Sequence, residues 1–152
     1  MTKPLIQVEL HSDGACLGNP GPGGWACILR PMSGGDDVVL TGGEPATTNN
    51  RMELTAVLEG LKTLEDGTVV GIFADSQYVL TGLSEWMDNW KRRGWKTSAR
   101  KPVKNVDLWK ALDGERTRLE LSYEWVEGHA GHPDNERCDQ LARQQAEMYL
   151  ET

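Results

Sequence analysis

Residues 5–12 alternate, with Ile6, Val8 and Leu10 on one side and Gln7, Glu9 and His11 on the other, the two-residue period of a half-buried strand. The alternation stops at Asp13-Gly14, and residues 17–24 (LGNPGPGG) are dense in turn formers. Residues 25–30 and 38–41 predict two more strands joined through Ser33-Gly34-Gly35-Asp36, so the first three strands are expected to form an antiparallel meander. Beyond Pro45 the period changes to 3.6. Thr47-Thr48 offers a helix cap, Leu54, Val57, Leu58, Leu61 and Leu64 form one apolar stripe, and Gly67 is the expected stop. Residues 69–74 are continuously apolar, as in a strand covered on both faces. A helical stretch starts at Ser76, with Trp86 and Trp90 four apart, and another holds Val106, Trp109 and Leu112. Leu119, Leu121, Tyr123 and Trp125 alternate as a fifth strand. Pro133 then opens a last helix that turns Cys138, Leu141, Ala142 and Ala146 inward.

Three antiparallel strands followed by strand–helix alternation predict an α/β fold: a mixed five-stranded sheet, three strands antiparallel and then two parallel, flanked by helices. A chain of 152 residues has the length of one domain, 1–152, with one core. Its 38% apolar content is too high for disorder, and no run approaches the ~18 apolar residues of a membrane span. The first residues lack a signal-peptide core, and Cys16, Cys27 and Cys138 have neither disulfide-framework numbers nor zinc spacing. A cytoplasmic protein is the expectation.

The net charge of −7 argues against a nucleic-acid partner until its distribution is considered. Lys91, Arg92, Arg93, Lys96, Arg100, Lys101 and Lys104 fall in one stretch without a single acid. A cationic patch on an acidic body is the footprint of a polyanion-binding surface.

Four acids stand out by position. Asp13 and Asp75 close strands at the carboxyl side, where such sheets bind ligands. Glu53 borders the first helical stripe, and Asp139 follows an inward-facing Cys138. Acids beside a core face need a positive partner, and with few basic residues nearby in sequence a hard cation is the natural one. His129 lies in a Gly-rich loop.

Ser12-Asp13-Gly14-Ala15-Cys16-Leu17-Gly18-Asn19-Pro20-Gly21-Pro22-Gly23-Gly24 closely resembles the first-strand signature of the bacterial type 1 ribonuclease H family. Thr48-Asn49-Asn50-Arg51-Met52-Glu53-Leu54, Asp75-Ser76-Gln77-Tyr78-Val79, Gly128-His129-Ala130-Gly131-His132-Pro133 and Asn135-Glu136-Arg137-Cys138-Asp139 are similar to its later motifs, in order. Trp90-Lys91-Arg92-Arg93-Gly94-Trp95-Lys96-Thr97 looks like the family's basic protrusion, around residues 86–104. The resemblance implies a ribonuclease H-like fold and an endonuclease that cuts the RNA strand of RNA–DNA hybrids, leaving 5′-phosphate and 3′-hydroxyl ends. It makes Asp13, Glu53, Asp75 and Asp139 ligands of two Mg²⁺ ions, with Mn²⁺ as substitute, and His129 a catalytic proton carrier. Gly14, Ala15, Cys16, Asn19, Asn49, Asn50 and Gln77, with Glu53, match hybrid-contacting positions. Trp86 matches a residue packed on DNA sugars, and Lys91, Arg92, Arg93, Trp95 and Lys96 belong to the protrusion. Thr48 and Asn105 match a pocket for one DNA phosphate, but Ala46 stands where relatives usually have arginine, leaving neutral donors only. The implied partner is the hybrid alone: no membrane and no obligate protein, hence a monomer.

Two other readings are a non-catalytic hybrid-binding module and a nuclease of the same fold acting on DNA. The first predicts loss of at least one of the four acids, and all are in place. Matches to hybrid-contacting positions disfavour the second.

Overall fold

The computed structural model describes residues 5–128 and 131–150. Its five strands are β1 (Val8–Cys16), β2 (Gly21–Pro31), β3 (Val38–Thr47), β4 (Val69–Ala74) and β5 (Glu120–Trp125). They form one sheet in the order β3-β2-β1-β4-β5. The β1–β2 and β2–β3 pairs are antiparallel and the β1–β4 and β4–β5 pairs parallel, the mixed sheet that the periodicity predicts. The helices are α1 (Asn49–Lys62), α2 (Gln77–Thr81), α3 (Met87–Arg92), α4 (Val106–Arg118) and α5 (Pro133–Glu147); a π-helical turn, Gly82–Trp86, makes α2 and α3 continuous. No helix is long and apolar enough to cross a membrane, among the described residues.

The first three strands are longer than their alternation suggests. β1 runs past Asp13 to Cys16, β2 already begins at Gly21, and β3 continues through Gly42 and Gly43. Two glycines show why. A Cβ on Gly14 would lie 2.5 Å from the Glu53 nitrogen, and one on Gly24 would lie 2.1 Å from the Ala142 oxygen. These glycines sit in strands because helix backbones press directly on them. The hairpin between β2 and β3 does turn through glycines, Gly34 and Gly35, both at positive φ and with open space around them.

α1 is capped as expected: Thr48 Oγ1 accepts a hydrogen bond from the Arg51 N–H at 3.3 Å. The helix ends at Lys62, short of Gly67, so Leu64 lies beyond it. The two sheet faces bury different sets. Leu10, Cys27 and Leu29 meet Leu54, Val57, Leu61 and Trp109 in the main core. Ala26 and Ile28 meet Cys138 and Ala142 of α5 on the other face. Trp125 departs from the alternation. It is 51% exposed, its indole N–H donating to the Asp75 main-chain oxygen at 3.2 Å, so the ring is held at the end of β4 rather than in the core.

Candidate active site

Asp13 projects from the middle of β1, not from its end; the ladder with β2 continues beyond it to Cys16. Glu53 comes from the first turns of α1, and Asp75 follows β4 directly. The close approach at Gly14 brings α1 onto β1 and Glu53 to Asp13. One carboxylate oxygen from each of Asp13, Glu53 and Asp75 lies within 4.8 Å of the other two. Asp13 and Glu53 are buried, and the Gly14 N–H donates to Asp13 Oδ1 at 2.9 Å.

Burial dominates the electrostatics. It pushes the Asp13 carboxyl up to about 7, with the charges of Asp75 and Asp139 adding to it against hydrogen bonds from Glu53 and Gly14. Burial, then the neighbouring Asp13 charge, holds Glu53 well above the usual carboxylate range. Glu53 Oε2 is buried without a hydrogen-bond partner among the described residues. An orphaned buried oxygen beside two further carboxylates fits a hard divalent cation, which takes oxygen ligands and cancels the crowded charge.

Asp139 stands beside this triad rather than in it. It sits within α5, half-buried, and Arg143 Nε one turn later donates to its Oδ1 at 3.3 Å. The i,i+4 spacing of Asp139 and Arg143 is a sequence signal for this pair. Asp139 also borders a 330 Å³ cavity with Gly14, Ala15, Cys16 and Asn49, so these predicted contacts share one surface. Asn19 joins them, its Oδ1 accepting the Asn49 N–H at 3.1 Å. Asn50 and Gln77 are exposed at the starts of α1 and α2, near Glu53 and Asp75 in sequence. His129 lies outside the described residues.

Thr48 and Asn105 are linked through a cation that sequence reasoning missed. The Arg51 N–H meets Thr48, while its guanidinium donates to Asn105 Oδ1 at 3.3 Å and pairs with Asp107 at 2.7 Å. The surroundings therefore include a cation, unlike the neutral donors expected from Ala46, although Asp107 answers that charge. Asn105 Nδ2 donates in turn to the Tyr78 hydroxyl at 3.1 Å.

On the basic segment, Trp86 is 38% exposed and lies 5.9 Å from Trp90, centroid to centroid. Lys91 pairs with Asp113 at 3.1 Å and Arg92 with Asn89 Oδ1. Arg93 and Lys96 line a 350 Å³ cavity with Thr97, Ser98 and Arg100. Trp95, at φ 64°, has Lys110 Nζ 5.9 Å from its ring centroid.

Comparison with known proteins agrees with this geometry. The family model described as RNase H matches residues 6–147. A ribonuclease H of Paramagnetospirillum magneticum is 58% identical over 137 residues, 90% of this chain and 88% of that protein. One from Bordetella bronchiseptica is 56% identical over 141 residues, 93% and 90% of the two chains. Among solved structures, LC9-RNase H1, a type 1 RNase H with the type 2 active-site motif, superposes with a TM-score of 0.82 at 34% identity, covering 98% of this chain and 76% of its own.

Proposed function

The chain belongs to the ribonuclease H family, and from that premise we propose that it is an endonuclease hydrolysing the RNA strand of RNA–DNA hybrids, leaving 5′-phosphate and 3′-hydroxyl ends. The observation that carries this reading is the convergence of three carboxylates, two of them buried, from the middle of β1, the start of α1 and the end of β4. Asp13, Glu53, Asp75 and Asp139 are the residues that would hold Mg²⁺, Asp13 as the ligand common to two ions. Two bound Mg²⁺ ions, for which Mn²⁺ would substitute, supply an activated water and relieve charge on the phosphorus centre and the leaving 3′ oxygen. His129 would carry a proton or help product leave. Gly14, Ala15, Cys16, Asn19, Asn49, Asn50 and Gln77 would lie along the hybrid's minor groove, where the 2′-hydroxyl separates RNA from DNA. The same family resemblance implies a monomer without an obligate protein partner.

The test is cleavage of labelled hybrid, duplex DNA, duplex RNA and single-stranded RNA, each with and without Mg²⁺. Cutting confined to the RNA of the hybrid with Mg²⁺ supports the reading; equal cutting of duplex DNA refutes it.

The basic segment, 86–104, would be a protrusion that binds the hybrid away from the metals. Replacing Lys91, Arg92 and Arg93 with alanine should therefore raise KM while kcat stays similar, because such contacts hold ground and transition states alike. The salt dependence of affinity should become shallower as fewer counterions are released. An unchanged salt slope would take the segment off the nucleic acid.

The Thr48–Asn105 pocket gives a further expectation. Asp107 already engages the Arg51 guanidinium, so Ala46→Arg should add a charge to the pocket rather than duplicate one. Hybrid binding should tighten by about 1 kcal/mol, the scale of a hydrogen bond to a charged group. Thr48→Ala in the same background should remove part of that gain, and strictly additive affinities would place Ala46 outside the pocket.

A further inference from the structure

β1 and β2 present matched rungs on the sheet face that α5 covers: Glu9 opposite Arg30, His11 opposite Ile28, Asp13 opposite Ala26. α5 approaches this face through small residues. Ala26 and Ile28 meet Cys138 and Ala142, and Gly24 allows the Ala142 backbone to touch the strand. Such a contact holds a helix close, but its shallow relief offers little resistance to sliding along the helix axis.

The first turn of α5 is fastened differently. Arg30 Nη1 and Nη2 donate to the two oxygens of Asp134 at 2.9 and 2.8 Å, and its Nε and Nη2 hold Asp37 at 3.1 and 3.0 Å. His11, stacked on Phe73, has Nε2 3.0 Å from Glu9 Oε1 and 3.7 Å from Asp134 Oδ2. A two-pronged guanidinium–carboxylate contact fixes direction as well as distance. Asp139 lies five residues after Asp134 along the helix, a rise of about 7.5 Å. Asp13 lies two residues after His11 along the strand, about 6.8 Å. A helix pinned beside His11 thus brings Asp139 level with Asp13 along the sheet, close enough for its charge to act on the Asp13 carboxyl.

We propose that Arg30 is a positioning residue for catalysis: by clamping Asp134 it sets where α5 lies along the sheet, and so how near Asp139 comes to the three-acid cluster. The inference rests on Asp139 being a metal-holding acid, and the experiment separates the two. Mg²⁺ binding to the protein without hybrid is measured by calorimetry, together with amide hydrogen exchange at residues 136–138 and the Mg²⁺ demand of cleavage. Arg30→Met should weaken Mg²⁺ binding by about tenfold, the low end for groups that orient metal ligands, and speed exchange in the first turns of α5. Arg30→Lys, which keeps the charge without the fork, should recover only part. Asp37→Asn keeps the Arg30–Asp134 contact and should leave Mg²⁺ binding unchanged. In an Asp139→Asn background, Arg30→Met should weaken binding no further. Loss of stability with unchanged Mg²⁺ binding, or an additive effect in that background, would overturn the proposal for Arg30. If Asp139→Asn alone leaves Mg²⁺ binding intact, the metal-ligand reading of Asp139 fails instead.

Discussion

Asp13→Asn is expected to leave no more than a few per cent of the Mg²⁺-dependent cleavage rate while making the metal-free protein more stable at pH 8. An asparagine oxygen still accepts the Gly14 N–H, so the local structure is kept, but the charge proposed to hold both ions is gone. The stability gain follows from the sign of the titration. Asp13 titrates near 7 in the folded protein against 3.8 ordinarily, so between those values the native state holds a proton that the unfolded chain has released. Stability therefore falls as pH rises from about 4 to about 7, and the loss is complete above that window. At roughly 1.4 kcal/mol per unit, partly shared with Glu53, removing the group should return on the order of 2 kcal/mol at pH 8. In a protein of this size that raises Tm by roughly 4–8 °C. Calorimetric scans at pH 4 and pH 8 should show the gain at the higher pH and almost none at the lower. Mg²⁺ should stabilise the parent protein more than the variant. A variant less stable than its parent at pH 8 would refute the charge-crowding account; substantial activity would refute the role of Asp13.

Trp109→Ala should be the most damaging single change to the fold. Trp109 is wholly buried, edge-on to Tyr78 at 5.4 Å and to Trp90 at 5.3 Å, and its indole N–H donates to the Tyr78 hydroxyl at 3.2 Å. Truncation removes the largest side chain of the core and leaves a cavity, which costs about 3–5 kcal/mol against the roughly 5–15 kcal/mol that holds such a domain folded. The damage should spread to binding, since Tyr78 also holds Asn105, and Trp90 is part of α3, which carries Lys91 and Arg92. Trp109→Phe keeps a ring and should cost much less. Urea denaturation checks the first statement and hybrid affinity under native conditions the second. A midpoint close to that of the parent would mean that the aromatic cluster contributes little.

The elements easiest to read in the sequence are those whose pattern states its own period. β4 occupies the residues its apolar run marks, and α1 begins at its threonine cap and buries its leucine stripe. The ends of β1, β2 and β3 were illegible because a glycine has the same letter in a turn and under a helix; what presses on it is decided by distant residues. The acids divide in the same way. Asp13 and Asp75 could be singled out from their strands, and Glu53 from its helix face. That Asp139 stands apart from the other three depends on how α5 lies on the sheet, although its i,i+4 partner Arg143 is legible in the sequence. The Arg30 and Arg51 networks join residues 104 and 56 positions apart, a kind of pairing that no local pattern encodes. Trp125 has the parity of a core residue and finds its partner in a main-chain oxygen beyond the strand.

The Gly34-Gly35 hairpin has a practical meaning for anyone who wishes to handle this protein. The register places it at the Val8 end of β1, whereas the acids gather toward the other end of the sheet, and a Cβ added at either glycine would meet nothing within 4 Å. A fluorophore, a surface tether or a small inserted domain should therefore be accommodated between them without shadowing the substrate face. The graft must spare Asp37, three residues downstream of Gly34, because that carboxylate grips Arg30. A protein immobilised there would present its nuclease face outward in a uniform orientation, a useful geometry for watching single hybrids being cut.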